Sequence, residues 1–390
     1  MKPEPRSEAG NAAAGARRRA GVALATAVLA ASLGGCALFS SDKPAPKPLE
    51  PITAPITVRQ LWNQNIGAVP FSMTMAVNGG VVTAASGDGN VLAVEAESGK
   101  TLWRASVGSK LSAGVGSDGR FAAVVTRDGE LVVMEAAQIK WRKPLGVRVA
   151  TAPLVAGGRV FVLSVDRAIQ VFDVQDGARI WQLQRPGEAL TLAYSGVITA
   201  FKNTLIAGQG PRLAGIDPVS SVVRWEVAIG SPRGANEVER LADLIGPALR
   251  VGDLICARSF QAGVGCVDAE RGRLVWSKAV GGNDAIGGDA ELVFGADASD
   301  RITVWKTATG DVAWSSESLL YRGLGAPAVV GTSVVFGDSA GTLHWLSRAK
   351  GEAQLRSSTD GTAVTIPPVV VGGVLIVVTK SGGMFAFRPS

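Results

Sequence analysis

From about residue 57 the chain is a succession of short apolar runs broken by polar, glycine-bearing turns. Runs such as Arg159-Val160-Phe161-Val162-Leu163 and Ser333-Val334-Val335-Phe336 are nearly continuous in apolar residues. That pattern predicts inner strands covered on both faces. The runs recur with a period marked by tryptophan. Trp62, Trp103, Trp141, Trp181, Trp225, Trp276 and Trp314 are spaced by 41, 38, 40, 44, 51 and 38 residues. Leu355 takes the same place 41 residues after Trp314. Eight landmarks over residues 57–390 give about 42 residues per unit, the size of a four-stranded propeller blade. The expected fold is therefore all-β: an eight-bladed β-propeller of four-stranded antiparallel blades.

The surroundings of the landmark repeat as well. Gly99, Gly177, Gly272, Gly310 and Gly351 stand four residues before it; Glu95, Asp173, Asp217 and Asp268 stand eight before it. An acid can cap a hairpin turn through backbone N–H groups, and glycine permits the positive φ of the return. Trp141 departs from the pattern, with Glu135 only six residues before it. The tryptophans themselves read as packing residues, each stacking between adjacent blades and burying ~150–250 Å². The two chain ends complete one another. Residues 56–66 form an outer strand with nothing before it, and the strand Gly383-Met384-Phe385-Ala386-Phe387 has no outer strand after it. Joining the N- and C-terminal strands closes the ring and removes its exposed edges.

Composition fits short strands: 47% of residues are hydrophobic, 49 are glycine and only 18% are charged. The formal charge of +6 is no nucleic-acid signal, because residues 1–35 hold five basic and two acidic side chains while the remaining 34 basic and 31 acidic nearly cancel. Residues 1–35 read as an export leader. Arg17, Arg18 and Arg19 form its charged region, and residues 20–32 form an apolar stretch too short for the ~20 residues that span a bilayer. A twin-arginine signal at Arg18-Arg19 lacks its following pattern, and the length before Arg17 leaves the translation start open. The stretch ends in Leu33-Gly34-Gly35-Cys36, which resembles a lipobox; the alternative is an ordinary signal peptide with a chance cysteine. Acylated Cys36 would then be the first mature residue, and Ala37 after it points to the outer membrane, periplasmic face. Residues 36–56, with five prolines, read as an extended tether; the propeller is 57–390.

Two cysteines remain, Cys256 and Cys266, in consecutive strands around a turn near Gln261. They form either a hairpin disulfide in an oxidising compartment or a reduced, buried pair. Catalytic groups are sparse. The single histidine, His344, lies within a strand, no Gly-x-Ser-x-Gly elbow or phosphate loop occurs, and the acids never cluster with calcium-loop spacing. The sequence therefore predicts neither an enzyme nor a cofactor or metal site.

The acid–glycine–tryptophan repeat resembles the blades of quinoprotein dehydrogenases, which bind pyrroloquinoline quinone. Their adjacent cysteine pair is missing here, since Cys256 and Cys266 are ten apart. Lipobox, proline tether and eight such blades together resemble the BamB family, the lipoprotein subunits of the outer-membrane β-barrel assembly (BAM) machinery. The most specific pieces are Gly337-Asp338-Ser339 with Gly341, Leu343, His344 and Trp345, and the segment 237–244 in the longest spacing of the repeat. The resemblance implies a non-catalytic scaffold that binds BamA's periplasmic domains, sits with other BAM subunits and assists unfolded outer-membrane proteins. By position it implies partner contacts at Arg240, Leu241 and Asp243, and at Leu190 and Leu192 in a neighbouring loop. Two positions depart: Ala193 stands for the family's arginine and Ile245 for a frequent second aspartate, so the contact is expected to be more apolar. The local alternative is an Arg240–Asp243 salt bridge ordering the loop. A quinoprotein-like oxidoreductase and a propeller binding cell-wall glycan or another envelope partner are the rival functions.

Overall fold

The computed structural model describes residue 1 and residues 44–184, 190–192 and 194–389. The leader, Cys36 and Ala193 lie outside the described residues. Thirty-two strands among the described residues make eight four-stranded antiparallel sheets. Blades 1 to 7 follow the chain in order, as residues 76–106, 111–144, 154–183, 198–228, 244–278, 287–316 and 328–358. First strands of successive blades touch one another, so they surround the axis. Blade 8 is composite. Val369–Val371, Val374–Val378 and Gly383–Pro389 come from the chain end, and Val58–Asn65 adds the outer strand, paired from Val58↔Pro389 to Asn65↔Gly383. The ring closes as its two ends predict.

Middle strands such as Phe121–Thr126 and Val374–Val378 are buried along their whole length, because neighbouring blades cover both faces. Outer strands such as Arg179–Leu183 are largely exposed. What turns each landmark residue inward is a β-bulge. In all eight blades the outer ladder slips by one residue immediately before the landmark. The unopposed residue, Leu102 or Ile180 or Val275 for example, is left exposed at the rim. A bulge bends the strand and re-aims the next side chain.

The re-aimed ring docks on the following blade. The indole N–H of Trp62 donates to the Ala96 carbonyl (3.0 Å), Trp141 to Val174 (2.9 Å), Trp276 to Thr307 (2.8 Å) and Trp314 to Arg348 (3.0 Å). Each ring also lies against the turn glycine of that blade. A Cβ on Gly99 would stand 2.6 Å from Trp62, and one on Gly177 2.8 Å from Trp141. These glycines therefore serve the turn (φ 71° and 70°) and the seat of the preceding blade's tryptophan at once. The two departures have matching causes. The short turn of blade 2 presents Ala137, which packs in the same cluster as Trp103. Leu355 faces no such turn, because the outer strand of blade 8 arrives from the other chain end; Leu355, Ile56 and Val58 instead pack on the core shared by blades 7 and 8.

Cys256 and Cys266 face each other across the two middle strands of blade 5, with Cα atoms 4.0 Å apart and sulfurs within bonding distance. Both are fully buried beside Trp276 and Trp305. The proline-rich segment carries no regular structure from 44 to 55, yet from Lys47 on it is held against the propeller. Lys47 N–H donates to the Leu320 carbonyl (3.0 Å), Arg322 donates to the Lys47 carbonyl (2.8 Å), and Leu49 packs on the core of blades 6 and 7. Packing of the compact unit thus starts near Pro46.

Candidate functional site

The loop of residues 229–243 carries the extra length between Trp225 and Trp276, and it is built on its own hydrogen bonds. Glu239 N–H donates to Asn236 Oδ1 (2.9 Å), while the Glu239 carboxylate accepts from Asn236 Nδ2 (2.8 Å) and from Ala235 N–H (2.8 Å). This reciprocity has the logic of a helix capping box and starts one turn, closed by Arg240 N–H on the Asn236 carbonyl (3.1 Å). Val238 and Arg240 are exposed on that turn, Val238 at 67%, and Leu241 is half-buried.

Asp243 ends the loop and ties three elements together. Its Oδ1 accepts from Arg167 of the blade 3 turn (3.0 Å), and its Oδ2 accepts from the backbone N–H of Leu192 (3.0 Å). Its own carbonyl accepts from Phe260 N–H (2.9 Å). The expected alternative of a local Arg240–Asp243 pair is replaced by Arg167–Asp243, whose side chains are only 15% and 16% exposed. An ion pair so sheltered is screened far less than a surface pair. Asp243 is therefore a tie between the two loops.

The structure brings both predicted loops to one place. Arg167, Leu192, Tyr194 and Asp243 line one crevice between them. Leu190 is exposed and Leu192 half-buried. The reading of Ile245 as a lost surface charge needs correction. Ile245 is 4% exposed and packs with Ala285, Ala326 and Phe260, so this position belongs to the core and not to the contact surface. Sequence reasoning missed Tyr194, which is 53% exposed, together with Val238 and Arg167. Tyr194 and Val238 carried a usable signal, large side chains inside loops already singled out. Arg167 carried none, because its partner is 76 residues away.

His344 lies elsewhere, fully buried in blade 7. Its Nε2 is 2.9 Å from Asp338 Oδ2. Burial pushes the Asp338 carboxyl up, but His344 and the N–H groups of Thr342 and Ala340 outweigh it and hold it below the usual range. Asp338 also faces Arg322, the residue that donates to the Lys47 carbonyl. The one histidine is thus engaged in structure.

Fold and loops together define a tryptophan-docked, eight-bladed propeller with two enlarged inter-blade loops knitted into one surface. The family model described as "Outer membrane protein assembly factor BamB" matches residues 54–111 and 87–316. A relative of that name from Bordetella pertussis is 35% identical over 94% of this chain and 96% of its own; one from Burkholderia pseudomallei is 33% identical over 96% and 98%. The chain belongs to the BamB family. Among solved structures, BamB from Moraxella catarrhalis aligns with a TM-score of 0.76 at 22% identity, over 85% of this chain and all of that one. A quinohemoprotein alcohol dehydrogenase from Comamonas testosteroni aligns at 0.63 with 16% identity, over 85% and 76%, a likeness of fold alone.

Proposed function

We propose that this protein is a non-catalytic, lipid-anchored scaffold of the outer-membrane β-barrel assembly complex, and that it binds the periplasmic domains of BamA through the two loops joined at Asp243. One observation carries the reading. Asp243 joins its loop to the neighbouring one, through a sheltered ion pair with Arg167 and a hydrogen bond from Leu192 N–H, and both loops expose large side chains, Leu190 and Tyr194 on one, Val238 and Arg240 on the other. Backbone already held at such a joint loses less entropy on docking, and large apolar side chains beside a charged rim suit a protein partner. The relatives named assembly factors, matched over nearly their whole length, support the same assignment. Acylation at Cys36 would hold the scaffold on the periplasmic face of the outer membrane, near barrel substrates in transit.

The test is purification of the tagged lipoprotein from detergent-solubilised envelopes, with co-purifying proteins identified by mass spectrometry. BamA and its companion lipoproteins should be enriched, and Leu192→Ala with Arg240→Ala should lose them while the fold is retained. Enrichment of a different envelope protein, with BamA absent, refutes the assignment.

A further inference from the structure

Along the ring axis runs a cavity of about 740 Å³, with every blade or its lead-in segment contributing to the wall. That volume falls within the roughly 300–1,000 Å³ of small-ligand sites. Four charged side chains line it: Arg127, Arg148, Lys380 and Asp284. The three cations are exposed and make no side-chain hydrogen bond or ion pair among the described residues. Acids on neighbouring turns, Asp88, Asp166 and Asp360, accept hydrogen bonds from hydroxyl and amide groups and stay charged, but none of them lines the cavity. Asp128 follows Arg127 in its turn but does not line the cavity. Asp284 faces the wholly buried Arg258, whose charge opposes the effect of burial on it. The lining itself thus carries three cations to one acid, an arrangement that favours anionic groups within the cavity.

Tyr194 links this cavity to the loop surface, because it lines both the axial wall and the crevice of Leu192 and Asp243. A partner seated on the loops therefore borders the positive mouth. We propose that the axial cavity receives an acidic segment of that same partner, guided by Arg127, Arg148 and Lys380. The proposal rests on the docking reading above and adds a second point of attachment, charged where the loops are mainly apolar.

The experiment measures binding of the full-length lipoprotein in detergent to BamA's periplasmic domains by biolayer interferometry, across a salt series. Three proteins are compared: native, Arg127→Gln/Arg148→Gln/Lys380→Gln, and Leu192→Ala/Arg240→Ala. The cavity variant should associate about 10-fold more slowly at low salt and lose most of the salt dependence, as expected when a steering cleft is discharged. If it matches the native protein in rate and salt dependence while the loop variant binds poorly, the cavity proposal is overturned and the docking reading stands. If neither variant differs from native, both readings fall. Parallel titration with citrate separates the remaining case: lost citrate binding with unchanged partner binding would give the cavity to a small anion and overturn the proposal.

Discussion

At the scale of single residues, each landmark tryptophan joins two blades, so its removal should be felt across an interface. Trp276 is the most enclosed of the landmarks, 6% exposed and hydrogen-bonded to the Thr307 carbonyl at 2.8 Å. Trp276→Ala is expected to cost about 3–5 kcal/mol, as large aromatic truncations do. A shift of the urea midpoint with unchanged far-ultraviolet dichroism of the folded state would show it. Asp284 makes a pH prediction. Burial, with Asp300 nearby, pushes its carboxyl up to about 6 against the attraction of Arg258. A carboxyl raised in the folded state stabilises the protein below its unfolded pKa of 3.8 and loses that contribution as pH rises through about 6. Asp284→Asn should therefore gain stability relative to the native protein between pH 4 and pH 7. A difference in melting temperature that stays flat over this window would contradict the assignment.

At the scale of elements, the middle hairpin of blade 5 is the natural place for a covalent staple. We propose that Cys256 and Cys266 are oxidised in the exported protein, with ten residues of separation and strands already in register. A loop that short yields about 2–3 kcal/mol in the chain-entropy view. Cys256→Ala/Cys266→Ala should lower the unfolding free energy by that amount, shift the denaturation midpoint down and make it insensitive to reductant. Equal midpoints of the native protein with and without reductant would place the thiols in the reduced, space-filling role. The two loops show the limit of local reading. The length of the loop before Asp243 was visible in the spacing of 51 residues, and Leu192 and Asp243 do meet. Their joint was not visible, because Asp243 accepts from Leu192 N–H, 51 residues away, and is held by Arg167 of another blade. Ile245 was misread for the same reason: a position beside a surface loop can already belong to the core.

At the scale of the molecule, the ring depends on its first strand. Val58–Asn65 pairs along Gly383–Pro389, and Ile56 and Val58 add to the core where Leu355 replaces a tryptophan. Removing Val58–Asn65 should leave an unpaired edge and loosen all eight blades together, since each is packed on both sides. Hydrogen exchange would report it; faster exchange confined to blade 8 would mean that the blades are independent. The sequence by itself determined the period, the number of blades, the closing strand and the turn glycines, because each follows from local spacing and local backbone demands. Tertiary structure alone decided that each glycine seats the preceding blade's tryptophan, that Asp243 ties the loops and that three distant cations share one axial cavity. Those relations join residues from different repeats, and only closure of the ring brings them within contact distance.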